Sequence, residues 1–568
     1  MGRTFAEHHK RQLQSLNGFF GFCTDKEKKG LSLGWQGGIP SERKIAVPQV
    51  WNSEVDLLTY TGVAWYEKRF FTEGGTLRFV FDGVMTECTV WLDGELLCSH
   101  YGGFTSFEKI VKNVNKGEHI LVFCVDNSFD EHSIPQAYVD WYHYGGIVRG
   151  VSVETLSGIC ILRSHIGYSL DEQRKNAKVQ FSLDLYNACD TSLTDTITAT
   201  IDDKTISIPV TMNPHEDLHL QSEEMELSDI RLWDIGKPEL YTVTFESATD
   251  DLFDRTGFRT FEVKGHDIFL NGRKIEIRGT NRHEEHPDFG FAFPVGLMQR
   301  DIDLIKAMGA NAIRGSHYPN SKEFLDLVDE NGLLFWSEIP IWGVGFRPEL
   351  LADEVIVARG LEMHREMLAQ YYNHPSIVIW GMHNEIATGT EYALPMSKLY
   401  YNFLKENGGN RAVVYACCHP LIDICFDYTD ILCLNLYFGW YRGYEENAWE
   451  NFFDAFDKRL LKIGQSHKPI IMSEFGFAAL YGNHDADDIL WSEEYQERMF
   501  EHVLTLYHSR ENIAGFYIWQ FADIRTSREA GLNRARSFNN KGVMNEHRKP
   551  KLAYRKIKSL YKMFEQEE

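Results

Sequence analysis

No stretch of the chain approaches the roughly 18 consecutive apolar residues that a membrane-spanning helix needs, so no span is expected. There is no basic run either. With a net charge of −24 and no clustered Lys and Arg of the kind that phosphate neutralisation demands, nucleic-acid or membrane-surface binding is not expected. The 10 cysteines are scattered without a CxxC pair. Cys124, Cys417 and Cys433 lie inside apolar runs, so reduced core thiols are expected rather than disulfides. Residues 1–10 show no apolar leader, and Ala6 stands where a myristoylation signal wants Ser or Thr. The expected compartment is the cytoplasm. A Gly-x-Ser-x-Gly elbow and a His-His-carboxylate helix motif are also missing, which speaks against an α/β-hydrolase or a metalloenzyme. No metal and no cofactor is expected.

At 568 residues the chain is too long for one core and divides into several domains. Residues 1–157 carry short aromatic runs such as Ala64–Phe70, Leu77–Phe81 and His119–Val125. Turn signals at Asp82-Gly83, Asp93-Gly94 and Gly102-Gly103 separate them, as in a β jelly-roll sandwich. Residues 158–265 are strand-like but more polar, and Ile197, Ala199 and Ile201 would share one face. The length suits a seven-stranded immunoglobulin-like sandwich. From 266 to 568 apolar strands alternate with amphipathic helices. Candidate strands at 275–279, 311–314, 333–337, 376–382, 412–417, 430–436, 469–474 and 514–519 suggest a (β/α)8 TIM barrel.

Two of these strands end alike. Ser376-Ile377-Val378-Ile379 runs into Trp380-Gly381-Met382-His383-Asn384-Glu385, and Pro469-Ile470-Ile471-Met472-Ser473 runs into Glu474-Phe475-Gly476. A lone glutamate there is an ordinary loop carboxylate. Two of them at the C-terminal ends of barrel strands four and seven are the kit for glycoside cleavage: one carboxyl protonates the leaving oxygen and the other attacks the anomeric carbon, about 5–5.5 Å away in a retaining enzyme. The high aromatic content, 37 Phe, 26 Tyr and 13 Trp, is consistent with sugar-stacking faces.

Those motifs, across the whole chain, resemble glycoside hydrolase family 2, and within it the β-glucuronidases. Met382–Glu385 is similar to the family's acid/base motif and Met472–Gly476 to its nucleophile motif, implying Glu385 as acid/base, Glu474 as nucleophile and Asn384 as partner of the sugar 2-hydroxyl. Arg278–Glu284 and Arg314–Pro319 are similar to further family signatures that project His283 and His317 toward the mouth, where rim packing is the alternative role. Asn539-Asn540-Lys541-Gly542 resembles the Asn-x-Lys grip on a sugar carboxylate, although it is also good turn sequence. The stretch Leu432–Tyr441 is similar to the glucuronidase strand-six stretch, which implies Tyr437 and Tyr441 in the sugar pocket. The resemblance at Trp519–Asp523 implies Trp519 under the ring, with core packing as the alternative for these aromatics. Asp140 resembles an aspartate that reaches from the jelly roll to the sugar hydroxyls, with a solvated loop acid as the alternative. The sequence departs from the glucuronidase pattern too. Neither Arg534 nor Arg536 sits at the expected offset before Asn539, and the loop 339–346 is short.

The resemblance implies an exo-acting retaining hydrolase releasing terminal β-D-glucuronic acid. The same scaffold could serve a galacturonide, a β-galactoside or an α-L-arabinofuranoside, or a non-catalytic carbohydrate-binding protein. The partners expected are a small glycoside or oligosaccharide and further copies of the chain, as a homo-oligomer.

Overall fold

The computed structural model describes residues 3–41, 43–343, 347–442, 447–531 and 534–567. Of the loop 339–346, residues 344–346 lie outside the described residues.

The aromatic runs of the first region form two facing antiparallel sheets. Four strands (Gln12–Ser15, Val151–Leu156, Gly75–Phe81, Phe107–Val114) face six (Arg43–Val47, Gly18–Asp25, Val63–Thr72, Gly117–Asp126, Glu87–Leu92, Glu95–Tyr101). Alternation along each strand turns Phe20, Phe22, Tyr66, Phe79, Phe81 and Phe123 into one core.

The second region is a smaller sandwich, with Ile197, Ala199 and Ile201 all buried. It has eight strands, not seven. Asp217–Gln221 and Met225–Leu227 both pair with Ala177–Asn187. The ladder breaks between them because the Ser222 hydroxyl accepts the Phe181 N–H at 3.0 Å, where a backbone carbonyl would continue the strand.

The third region closes into a parallel barrel of eight strands: β1 Ile277–Arg282, β2 Ala312–Gly315, β3 Leu334–Glu338, β4 Ile377–Asn384, β5 Ala412–Cys417, β6 Leu432–Asn435, β7 Ile470–Phe475 and β8 Ile513–Ile518. Every residue of these strands is buried, which is why they read as apolar runs without alternation. A long helix follows each strand except β5, whose link to β6 holds only the 3-10 turn Phe426–Tyr428. The expected eight βα units are therefore complete in strands but short of one helix among the described residues. The intervening 418–431 holds Pro420 and the buried Asp423, which accepts from the Tyr415 hydroxyl and the Cys425 N–H, leaving too little chain for a helix.

The sandwich loop between Asp126 and Gly146 reaches the mouth of the barrel. Trp141 packs against His283 and His317 with ring centroids 5.7 and 5.4 Å apart, and the Tyr144 hydroxyl donates to Glu285 at 2.6 Å. Asp140 arrives at the barrel on this loop. Among the described residues no helix is long and apolar enough to cross a membrane.

Candidate active site

Parallel strands all point their C-terminal ends one way, so the residues that end them converge on one mouth. β2 carries Arg314 there, and its planar fork organises the floor. Nη1 donates to Glu474 Oε1 at 2.7 Å and to Asn281 Oδ1 at 3.1 Å. Nη2 donates to Asn384 Oδ1 at 2.7 Å and to Glu338 Oε1 at 2.9 Å, and Nε to Glu338 Oε2 at 3.0 Å. Arg314 is fully buried, so these charge-assisted bonds form in a low dielectric.

Glu474 ends β7. Its second oxygen accepts the Tyr437 hydroxyl at 2.7 Å. Glu385 follows β4 in a left-handed conformation, φ 55°, a strained backbone for a non-glycine residue. Its N–H donates to Ala416 O at 2.8 Å, and Asn435 Nδ2 donates to its Oε1 at 3.0 Å. Burial first, and then the charge of Glu474, push the Glu385 carboxyl up to about 8. The two carboxyls therefore differ in kind: Glu474 is held by an arginine and a phenol, while Glu385 keeps its proton at neutral pH.

Both Glu385 and Glu474 line one cleft of about 600 Å3, together with Asp140, His317, Tyr437, Tyr441 and Trp519. His317 stacks on Trp519 with centroids 5.1 Å apart, and its Nδ1 lies 2.7 Å from Glu338. The other sequence-selected residues stand one layer back. Asn384 is buried, with Nδ2 left unpartnered. Asn539 donates to Asp140 Oδ2 at 2.8 Å. Lys541 is 1% exposed and donates to the Tyr441 hydroxyl at 2.6 Å. His283 is 3% exposed and sits behind His317 and Trp519, with its Nδ1 3.1 Å from the Tyr318 hydroxyl.

Sequence reasoning missed Glu338 and Asn435, and set Arg534 aside because of its offset from Asn539. Glu338 had a usable signal, because Leu334-Phe335-Trp336-Ser337-Glu338 is a third apolar strand ending in glutamate. Burial works to raise its carboxyl, but Arg314 and His317 outweigh burial and hold it below the usual range. Arg534 left no local signal: it pairs with Asp140, 394 residues away, through Nε at 3.0 Å and through Nη2. The side-chain clusters close enough to hold a metal among the described residues include neither Glu385 nor Glu474.

Residues 261–566 match the glycosyl hydrolases family 2 TIM barrel domain, and residues 161–259 match glycosyl hydrolases family 2. The chain belongs to glycoside hydrolase family 2. It is a glycosidase. A family 2 β-galacturonidase from Eisenbergiella tayi, solved bound to galacturonate, is 34% identical, with 99% of each chain covered and a TM-score of 0.91. A β-glucuronidase from Ruminococcus gnavus, solved with D-glucuronic acid, is 26% identical, with 99% of each chain covered and a TM-score of 0.87. A β-glucuronidase of Paenibacillus borealis is 26% identical over 97% of this chain and 96% of its own length.

Proposed function

We propose that this family 2 enzyme is an exo-acting, retaining hydrolase that releases a terminal β-linked hexuronic acid, with D-glucuronic acid as the first reading. Lys541 carries it. A buried ammonium normally sits beside a carboxylate, because an unpaired buried charge is costly. Among the described residues no carboxylate forms an ion pair with Lys541. Burial, and then Arg534, depress its basicity well below the ordinary lysine value. A sugar carboxylate arriving beside Tyr441 and Asn539 supplies the missing charge.

The other residues then take these roles. Glu474, held by Arg314, attacks the anomeric carbon; the C1–O bond to the leaving group breaks as Glu385 delivers its proton to that oxygen. Esterification removes the charge of Glu474, so the second-largest of the influences that raised Glu385 disappears while burial remains. Glu385 becomes a base and activates the water that frees the sugar. The unpartnered Asn384 Nδ2 donates to the 2-hydroxyl, Trp519 underlies the ring, Tyr437 steadies Glu474, and Asp140 meets the hydroxyls. His317 and His283 support Trp519. The barrel at 266–568 is the catalytic domain, with 1–157 and 158–265 as the two sandwiches before it.

A second reading is D-galacturonic acid, the C4 epimer, favoured by the 34% identity to the galacturonidase against 26% to the glucuronidases above. The test is kcat/KM on p-nitrophenyl β-D-glucuronide, β-D-galacturonide, β-D-galactoside and α-L-arabinofuranoside. A uronide is expected to lead, and the ratio of the two uronides chooses between the readings. A galactoside or arabinofuranoside turned over as fast as both uronides sinks the carboxylate reading.

A further inference from the structure

The leaving-group side of the cleft is built from side chains that the reaction above does not use. β4 delivers Glu385. In the barrel it lies between β3, followed by Trp342, and β5, followed by Cys418 and His419, while β6 is followed by Arg442. Trp342, His419 and Arg442 line the same cleft as Glu385 and Glu474. Trp342 pairs with Asn384 in a parallel bridge, and the Glu385 N–H is tied to Ala416 O at 2.8 Å. The acid is thus flanked by Trp342 on one side and His419 on the other. The group that Glu385 protonates departs between them, toward the opening.

Charge distinguishes this outer part from the floor. On the floor Glu474 is paired with Arg314, and on the wall Asp140 is paired with Arg534. Arg442 is exposed, lies over the Phe438 ring at 5.3 Å, and has no carboxylate partner among the described residues. His419 is exposed, and its ring has no hydrogen-bond partner among the described residues. A guanidinium at the mouth with no carboxylate partner among the described residues runs against the net charge of −24. In the same cleft, Tyr138, 42% exposed, and Trp342 form an aromatic wall with ring centroids 6.4 Å apart, the kind of surface on which a sugar face packs.

We propose that the leaving group is an acidic saccharide, its carboxylate or sulfate held by Arg442 and His419 and its ring against Trp342 and Tyr138. This rests on the hexuronidase reading and extends it: the substrate is acidic on both sides of the scissile bond. Because Arg442 is exposed, its attraction acts within a Debye length and is weakened by salt.

The test uses three disaccharides with one terminal hexuronic acid and one linkage, the second residue being a neutral hexose, its sulfate ester, or the corresponding hexuronic acid. The wild-type enzyme is expected to favour at least one acidic disaccharide over the neutral one by about fivefold in kcat/KM, the scale of an exposed charge contact. That ratio should shrink at high salt and fall to about one in Arg442→Gln. The sulfate and uronate arms tell which acid is preferred. The proposal is overturned if the neutral disaccharide is cleaved as fast as both acidic ones, or if Arg442→Gln leaves the ratio unchanged, which would place Arg442 at the terminal sugar. p-Nitrophenyl uronides carry no acid on the leaving group. Failure to cleave them sinks the hexuronidase reading and this one with it, whereas good turnover without acidic preference sinks this one alone.

Discussion

Arg314 Nη1 donates to Glu474 Oε1 across 2.7 Å, and both side chains are buried at the mouth of the barrel. The same guanidinium holds Glu338 and Asn384, so one residue from β2 sets the positions of groups from β3, β4 and β7. Lysine would keep the charge but lose the planar fork. Arg314→Lys is expected to lower kcat about a hundredfold, the scale for losing a preorganised donor, with the fold intact by circular dichroism. Arg314→Met also leaves Glu338 uncompensated and should cost about 3–5 kcal/mol in denaturant unfolding.

The proposed division of labour between the glutamates predicts different dependence on the leaving group. Glu474→Gln should lose at least about a thousandfold in kcat on every substrate, because an amide replaces the attacking carboxylate. Glu385→Gln should lose far more on a poor leaving group, such as a sugar, than on 2,4-dinitrophenol, which departs without a proton. Equal losses for Glu385→Gln on both leaving groups would remove it from the acid role.

Glu385 also links activity and stability to pH. With its carboxyl pushed up to about 8, kcat/KM should fall on the alkaline side near that value. The sign for stability follows from the same shift. Below about 4.5, the ordinary glutamate value, folded and unfolded chains both hold the proton. Between there and about 8 the unfolded chain ionises freely while the folded one resists, so folding is progressively disfavoured. Glu385→Gln should therefore raise the melting temperature, with a gain that grows over that window and levels off above it. Parallel melting scans of the two proteins from pH 4 to 9 check this.

Lys541, depressed by burial and by Arg534, should regain ordinary basicity when a carboxylate arrives. Binding of a uronate-derived inhibitor is then expected to take up a proton, wherever the free enzyme holds Lys541 neutral. Calorimetry in buffers of differing ionisation enthalpy reads this directly. Lys541→Met should abolish the uptake, and it should cut kcat/KM on uronides at least about tenfold more than on a neutral galactoside. An equal loss on both would leave 539–541 as a turn.

The barrel was legible because its strands are buried on both faces, so 376–382 and 469–474 stand out as apolar runs whatever surrounds them. The smaller sandwich was legible through alternation at Ile197, Ala199 and Ile201. What escaped had no local mark: the hydroxyl of Ser222 splitting one strand into two, the link after β5 too short for a helix, and the pairing of Asp140 with Arg534.

By itself, the sequence determined which segments become strands and that acidic side chains end several of them, because periodicity and burial act over a few residues. It could not rank those acids. Trp336-Ser337-Glu338 and Met472-Ser473-Glu474 follow one local pattern. Only closure of the barrel decided that Arg314 and His317 enclose Glu338, while Glu474 meets the cleft opposite a Glu385 that keeps its proton. The physical reason is that the fate of a carboxyl is set by the charges and the burial within a few ångströms of it, and those come from residues far away in the chain.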